Sequence, residues 1–207
     1  MTKFKSAILF ALGLASAAAL FAQTPAAAPA TPPKKAASTG GTSPHETISA
    51  YIGGTRRTGG VLVTISYGRP YSAKGGVGEA RKIWGGLVPW DKADRLGSDE
   101  ATLLVTPVPL VIGETTIPAG AYTLYIVPSE TGATKLAFSS NIGKWGIPVD
   151  EKHDVARFDL KKSSVEKQVD QLTLALAQDP AAPNTSGLLT ITWETTQFTL
   201  PFMVKKS

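Results

Sequence analysis

From Val61 to Tyr67 the chain alternates with period two: Val61, Val63, Ile65 and Tyr67 fall on one face, Leu62, Thr64 and Ser66 on the other. Successive side chains of a strand point to opposite sides of a sheet, so this segment predicts a strand with one buried face. Residues 121–127 repeat the alternation with both sets partly apolar, Tyr122, Leu124 and Ile126 against Thr123, Tyr125 and Val127. That pattern predicts a strand in mid-sheet, covered on both sides. Shorter runs at 103–106, 109–112, 135–139, 156–160, 171–177, 188–194 and 197–204 add further strands, separated by Gly, Pro, Asn and Asp turns. Many short strands at such spacing predict an all-β fold, an antiparallel β-sandwich that is jelly-roll-like in strand count.

Helix is scarce. Residues 163–170 carry Val165 and Val169 at the i, i+4 spacing of a helix face but lead into a β-branched run, so they read as a short helix or as the start of a strand. Thr195-Thr196, between Trp193 and Phe198, predicts a tight hairpin without the Asn-Gly signal of the commonest type. The stretch from Gly68 to Glu100 is rich in Gly and poor in strand pattern. A connection that long in a compact domain is either an ordered functional loop or a set of short irregular segments, and it is where a site is expected.

Composition narrows the classes. The 207 residues are 43% hydrophobic and 18% charged, which excludes wholesale disorder, and they include 20 Gly, 15 Pro, two His and no Cys. Disulfides, thiolate zinc sites and cysteine nucleophiles are therefore excluded. Residues 1–22 have a basic start at Lys3 and Lys5, an apolar run from Ala7 to Leu20 and a small residue, Ala22, before Gln23. This predicts a secretory signal cleaved after Ala22 and an exported protein, periplasmic or secreted, with no membrane span after cleavage. Residues 23–42 are Ala, Pro, Thr, Lys and Gly, which predicts a semi-stiff disordered linker, with one folded domain over 43–207.

Loss of Lys3 and Lys5 lowers the formal net charge of +5 by two, and the pairs Lys34-Lys35, Arg56-Arg57 and Lys161-Lys162 are isolated, so no nucleic-acid partner is expected. Gly75-Gly76-Val77-Gly78 lacks the Gly-Lys-Ser of a phosphate loop and reads as a hairpin tip. No Gly-x-Ser-x-Gly elbow is present. The acidic run Asp150-Glu151-Lys152-His153-Asp154 lacks the alternating ligands of a calcium loop and reads as a solvated turn, so neither a metal nor another cofactor is expected.

A series of motifs runs along the chain: Ser43-Pro44-His45-Glu46-Thr47, Ile65-Ser66-Tyr67-Gly68-Arg69-Pro70-Tyr71, Arg81-Lys82-Ile83-Trp84-Gly85-Gly86-Leu87-Val88-Pro89, Glu100-Ala101-Thr102, Ile117-Pro118-Ala119-Gly120-Ala121-Tyr122-Thr123-Leu124, Trp145-Gly146 and Trp193-Glu194. In this order the motifs resemble the bacterial family called domain of unknown function 2911, from Ser43 onward. The resemblance implies an exported all-β domain and no particular reaction. Relatives read approximately Trp-Arg-Thr-Gly-Ala-Asn-Glu-Ala-Thr where this chain has Asp94-Arg95-Leu96-Gly97-Ser98-Asp99-Glu100-Ala101-Thr102. Asp94 thus stands in place of a Trp, and Asp99 in place of an Asn.

Arginine offers a fixed fork of donors suited to carboxylates and phosphates, so Arg69, Arg81 and Arg95 with Glu100 are candidates for an anion or sugar pocket on these loops. The competing reading is that an Arg–Glu pair pins the loop to the sandwich. Tyr71 and Trp84 are candidates for stacking on a ligand, or for core and loop plugs. The expected function is a non-catalytic binding or structural module with a small-molecule or protein ligand. Two alternatives stand beside it: a glycosidase-like hydrolase using acids near Asp99 and Glu100, which must share one cleft, and a protein-partner module on the Pro-rich tether.

Overall fold

In a computed structural model of the chain, which describes residues 43–206, the alternating segment around Ile65 is strand β2 (Val61–Gly68). Its predicted inner residues Val63 and Ile65 are fully buried, while Leu62 on the other face is 41% exposed. The segments expected to be signal and linker lie outside the described residues. β2 pairs in full antiparallel register with β1 (His45–Ile52), a strand whose alternation the sequence reading passed over. Short polar residues at Thr47 and Ser49 make β1 look like a loop, and it becomes a strand through the eight-residue ladder with β2.

The first sheet runs β1, β2, β4 (Thr102–Thr106), β7 (Gly120–Val127), β8 (Lys135–Ser139) and β9 (Asp154–Asp159), all antiparallel. A two-residue strand, β3 (Asp94–Arg95), also pairs with β7, opposite Ile126 and Tyr125. The expectation for β7 holds: it lies in mid-sheet, with Leu124, Ile126, Tyr122, Thr123 and Tyr125 all buried, so both of its faces are covered. The second sheet runs β10 (Lys161–Gln178), β11 (Ser186–Val204), β5 (Leu110–Ile112) and β6 (Thr115–Ile117). The sheets pack as a sandwich around one core that includes Ile65, Leu124, Leu136 and Phe138 from the first and Leu174, Ile191, Phe198 and Leu200 from the second.

One local expectation is corrected, and one open alternative is decided. Thr195-Thr196 is not a hairpin turn: it lies inside β11, with Thr196 paired to Ser164, and the chain reverses instead over the Pro-containing segment 179–185. Residues 163–170, open between a short helix and the start of a strand, are strand: they belong to β10, whose ladder with β11 shifts register on either side of the Val169–Glu194 pair. Glu194 takes the left-handed conformation at φ 54°, which bends the long hairpin. The bulges break the period of two in β10, and Val165 and Val169 therefore end up with a helix-like spacing in a strand.

The stretch after Gly68 is ordered by its contacts with both sheets. Residues 69–72 cross from the end of β2 to β10: Leu172 N donates to Pro70 O at 3.0 Å, Ser72 N donates to Asp170 O at 2.7 Å, and Tyr71 bridges Gln171. Ile83, Val88 and Leu96 then close the end of the sandwich as buried plugs. Gly75 to Gly78 is a turn closed by an Ala73–Ala80 bridge, as the hairpin-tip reading expects. Among the described residues no helix is long and apolar enough to cross a membrane.

Candidate functional site

At the end of the sandwich closed by residues 69–98, the sheets and this loop enclose a cavity of about 350 Å³. Its inner wall is Ile126, Leu172, Leu96, Val88 and Trp193, and its mouth carries Lys74, Arg81 and Arg95. Four of the six candidates from sequence, Tyr71, Arg81, Trp84 and Arg95, line this one space. The loop that carries them crosses the open end of the sandwich, so residues up to 24 positions apart along the chain meet there.

Trp84 and Trp193 meet edge to face at 6.4 Å between ring centroids, and Trp84 also meets Phe198 at 5.3 Å. Both indole N–H groups, and the Ser98 hydroxyl, are buried without a hydrogen-bond partner among the described residues. Arg81 is tied back to the loop, donating from Nη2 to Tyr71 O and from Nε to Ser72 O at 3.4 Å. Its Nη1 makes no hydrogen bond among the described residues.

β3 decides how its two residues act. Residues directly opposite each other in an antiparallel pair share a face. Asp94, opposite the buried Ile126, faces between the sheets and lines the cavity, whereas Arg95, opposite Tyr125, borders the cavity but sends its guanidinium to the outer face, where it meets Trp145. Burial pushes the Asp94 carboxyl up to about 6, against the smaller opposing pull of the Arg95 charge. The sequence reading missed Asp94 as a wall residue, because nothing in a loop sequence states which way an acidic side chain turns. Trp193 was visible only as part of a motif.

Arg69 and Glu100 do not share the cavity. Arg69 is 17% exposed and clasps the two sheets: its Nε lies 3.3 Å from Glu46 Oε2 and donates to Leu172 O at 3.2 Å, while Nη2 donates to Thr173 Oγ1 at 2.9 Å. Glu100 lies on the outer face, 2.9 Å from His45 Nε2, and Asp99 Oδ2 is 3.8 Å from the same nitrogen. A bond from its own backbone amide, then the His45 contact, holds the Glu100 carboxyl below the ordinary range. The loop is pinned by Arg95 without Glu100, since Arg95 Nη1 donates to Asp99 O and to Trp145 O. Asp99 sits at φ 63°, a region that Asp and Asn enter more readily than other side chains, so an Asp suits this turn.

The acidic run at 150–154 is used internally. Asp150 accepts from Lys152 N at 3.2 Å, and Arg157 gathers Glu151 and Asp154, its Nε donating to Asp154 Oδ2 at 2.6 Å. Tyr125 OH also donates to Asp154. Among the described residues no group of three His, Asp or Glu side chains has the geometry to hold a metal ion.

A two-sheet sandwich whose open end is closed by an aromatic- and arginine-bearing loop is the class of domain that the fold and this cavity define. The chain belongs to the family described as "Protein of unknown function (DUF2911)", whose family model matches residues 43–202. No curated protein and no solved structure matches the chain.

Proposed function

We propose that this protein is an exported, non-catalytic binding module, and that the cavity between its sheets takes a small organic anion with an apolar body. One observation carries the reading: a cavity of about 350 Å³ with an apolar wall has the cationic side chains Lys74 and Arg81 among its lining residues. Apolar side chains surround the interior, and Lys74 and Arg81 at the mouth supply the positive charge that favours an anion. The volume suits a molecule of one or two rings. The N-terminal signal sequence supports export.

Hydrolysis by Asp99 and Glu100 is the weaker reading for a physical reason. A glycosidase needs a carboxyl kept protonated as the acid, whereas Glu100 is held ionised. The carboxyls that burial pushes up are Asp94, which lines the cavity between the sheets, and Glu194 on β11, while Glu100 lies on the outer face.

Calorimetric titration with benzoate, indole-3-acetate, inorganic phosphate and glucose tests the proposal. The expected result is saturable binding of an aromatic carboxylate, weakened about five- to tenfold in Trp84→Leu, which removes an aromatic lining residue, and in Arg81→Gln. Absence of binding by either carboxylate, or equal binding by both variants, overturns the proposal.

A further inference from the structure

The outer face of the first sheet carries a second site, built from different residues. Thr47, Ser66, Leu103 and Thr123 are successive partners across β1, β2, β4 and β7, so they form one row on one face. Two of the hydroxyls, Thr47 Oγ1 and Ser66 Oγ, are 2.8 Å apart. The segment 141–149 crosses this face, with Thr123 Oγ1 donating to Asn141 O at 2.9 Å and Ala101 N to Lys144 O at 3.2 Å. Between the row and the segment runs a groove of about 440 Å³, flanked by Trp145, Lys144, His45 and Glu100.

Trp145 is the only indole of the described chain that is mostly exposed, at 54%. Its position is nonetheless fixed. The Arg95 guanidinium carbon lies 5.4 Å from the ring centroid, and Arg95 Nη1 holds the Trp145 carbonyl at 3.1 Å. The next residue, Gly146, has φ 86°, and a Cβ there would press on Ala101 and Arg95 at 3.1–3.2 Å, so the approach of this segment to Arg95 requires glycine. A rigid aromatic plate at a groove edge binds with little entropy loss.

The polar groups beside the plate are mixed in sign. Glu100 is an acceptor, Lys144 a donor with no side-chain partner among the described residues, and His45 pairs with Glu100 at 2.9 Å while remaining 54% exposed. Such a set does not favour a highly charged ligand; it matches a neutral molecule whose hydroxyls both donate and accept and whose C–H face is apolar.

We propose that this groove is a carbohydrate site, in which a sugar ring stacks on the open face of Trp145 and its hydroxyls exchange hydrogen bonds with Glu100, His45 and Lys144. The site is independent of the cavity between the sheets, since Trp145, His45 and Glu100 do not line that cavity.

The test is calorimetric titration of the whole protein with cellohexaose, xylohexaose and chitohexaose. At least one is expected to bind, with affinity reduced tenfold or more in Trp145→Ala, reduced less in Trp145→Phe, and thermal midpoints unchanged. Should Trp145→Ala lower the midpoint, the exposed pair provides the second variant, His45→Ala with Glu100→Gln, which is expected to weaken binding at least threefold. The proposal is overturned if none of the three sugars binds at millimolar concentration, or if binding survives both sets of substitutions.

Discussion

The hydroxyl of Tyr67 on β2 accepts the backbone amide of Leu174 on β10 at 2.9 Å, a hydrogen bond between the two sheets. The same hydroxyl donates to Glu46 Oε2 at 2.7 Å, and burial pushes its pKa up. Tyr67→Phe leaves a buried amide and a carboxylate oxygen each short of a partner, a loss of about 1–3 kcal/mol. Urea unfolding of wild type and variant measures it, and a difference below about 0.5 kcal/mol would show that the bond between the sheets contributes little.

Arg69 extends the same clasp between the sheets. Arg69→Lys keeps the charge and loses the fork that reaches Leu172 O, Thr173 Oγ1 and Glu46 together. The expected outcome is a lower thermal midpoint with unchanged affinity of the inter-sheet cavity for an aromatic carboxylate. A large loss of affinity with the midpoint intact would place Arg69 in the binding site.

Asp94 makes stability depend on pH in a defined direction. Its folded-state pKa of about 6 lies above the ordinary 3.8, so the folded chain holds this proton more tightly than the unfolded chain does. The resulting contribution is complete below pH 3.8 and is lost as pH rises through 6. Asp94→Asn removes the cost of burying the charge. The stability of the variant relative to wild type is therefore expected to rise between pH 4 and pH 7, by roughly 1–2 kcal/mol after discounting for partial exposure. Urea unfolding at several pH values checks this, and a gap independent of pH contradicts it.

The same side chain lines the cavity. Since Asp94 faces between the sheets, an indole at this position projects into the space an organic anion is proposed to fill. Asp94→Trp is expected to abolish binding of aromatic carboxylates while the protein stays folded. Undiminished binding by a folded Asp94→Trp protein would move the site elsewhere.

Gly68 ends β2 beneath the loop, where a Cβ would lie 2.1 Å from the carbonyl oxygen of Ser98. Backbone cannot yield there as a flexible side chain would, so Gly68→Ala is expected to cost at least about 2 kcal/mol. The loop 96–99 should move with it, visible as altered near-ultraviolet circular dichroism from the neighbouring tryptophans. An alanine variant as stable as wild type is the contrary result.

The sequence by itself determined the elements whose physics is local. Alternation at 61–67 and 121–127 is enough to assign a half-buried strand and a doubly covered one, because burial acts on every second residue of a strand. Composition excluded cysteine chemistry, and the ordered motifs pointed to the family. Where bulges in β10 disturbed the alternation, sequence left helix and strand both open, and at Thr195-Thr196 in β11 it suggested a turn that does not exist. Tertiary structure alone decided which candidates meet. Arg69 and Arg81, similar in a list of loop arginines, became a clasp and a cavity wall because the chain crosses to β10 between them. Adjacent Asp94 and Arg95 turned to opposite faces through their pairing with β7, and Glu100 joined His45, 55 positions away. These outcomes depend on register between distant strands, which no short stretch of sequence encodes.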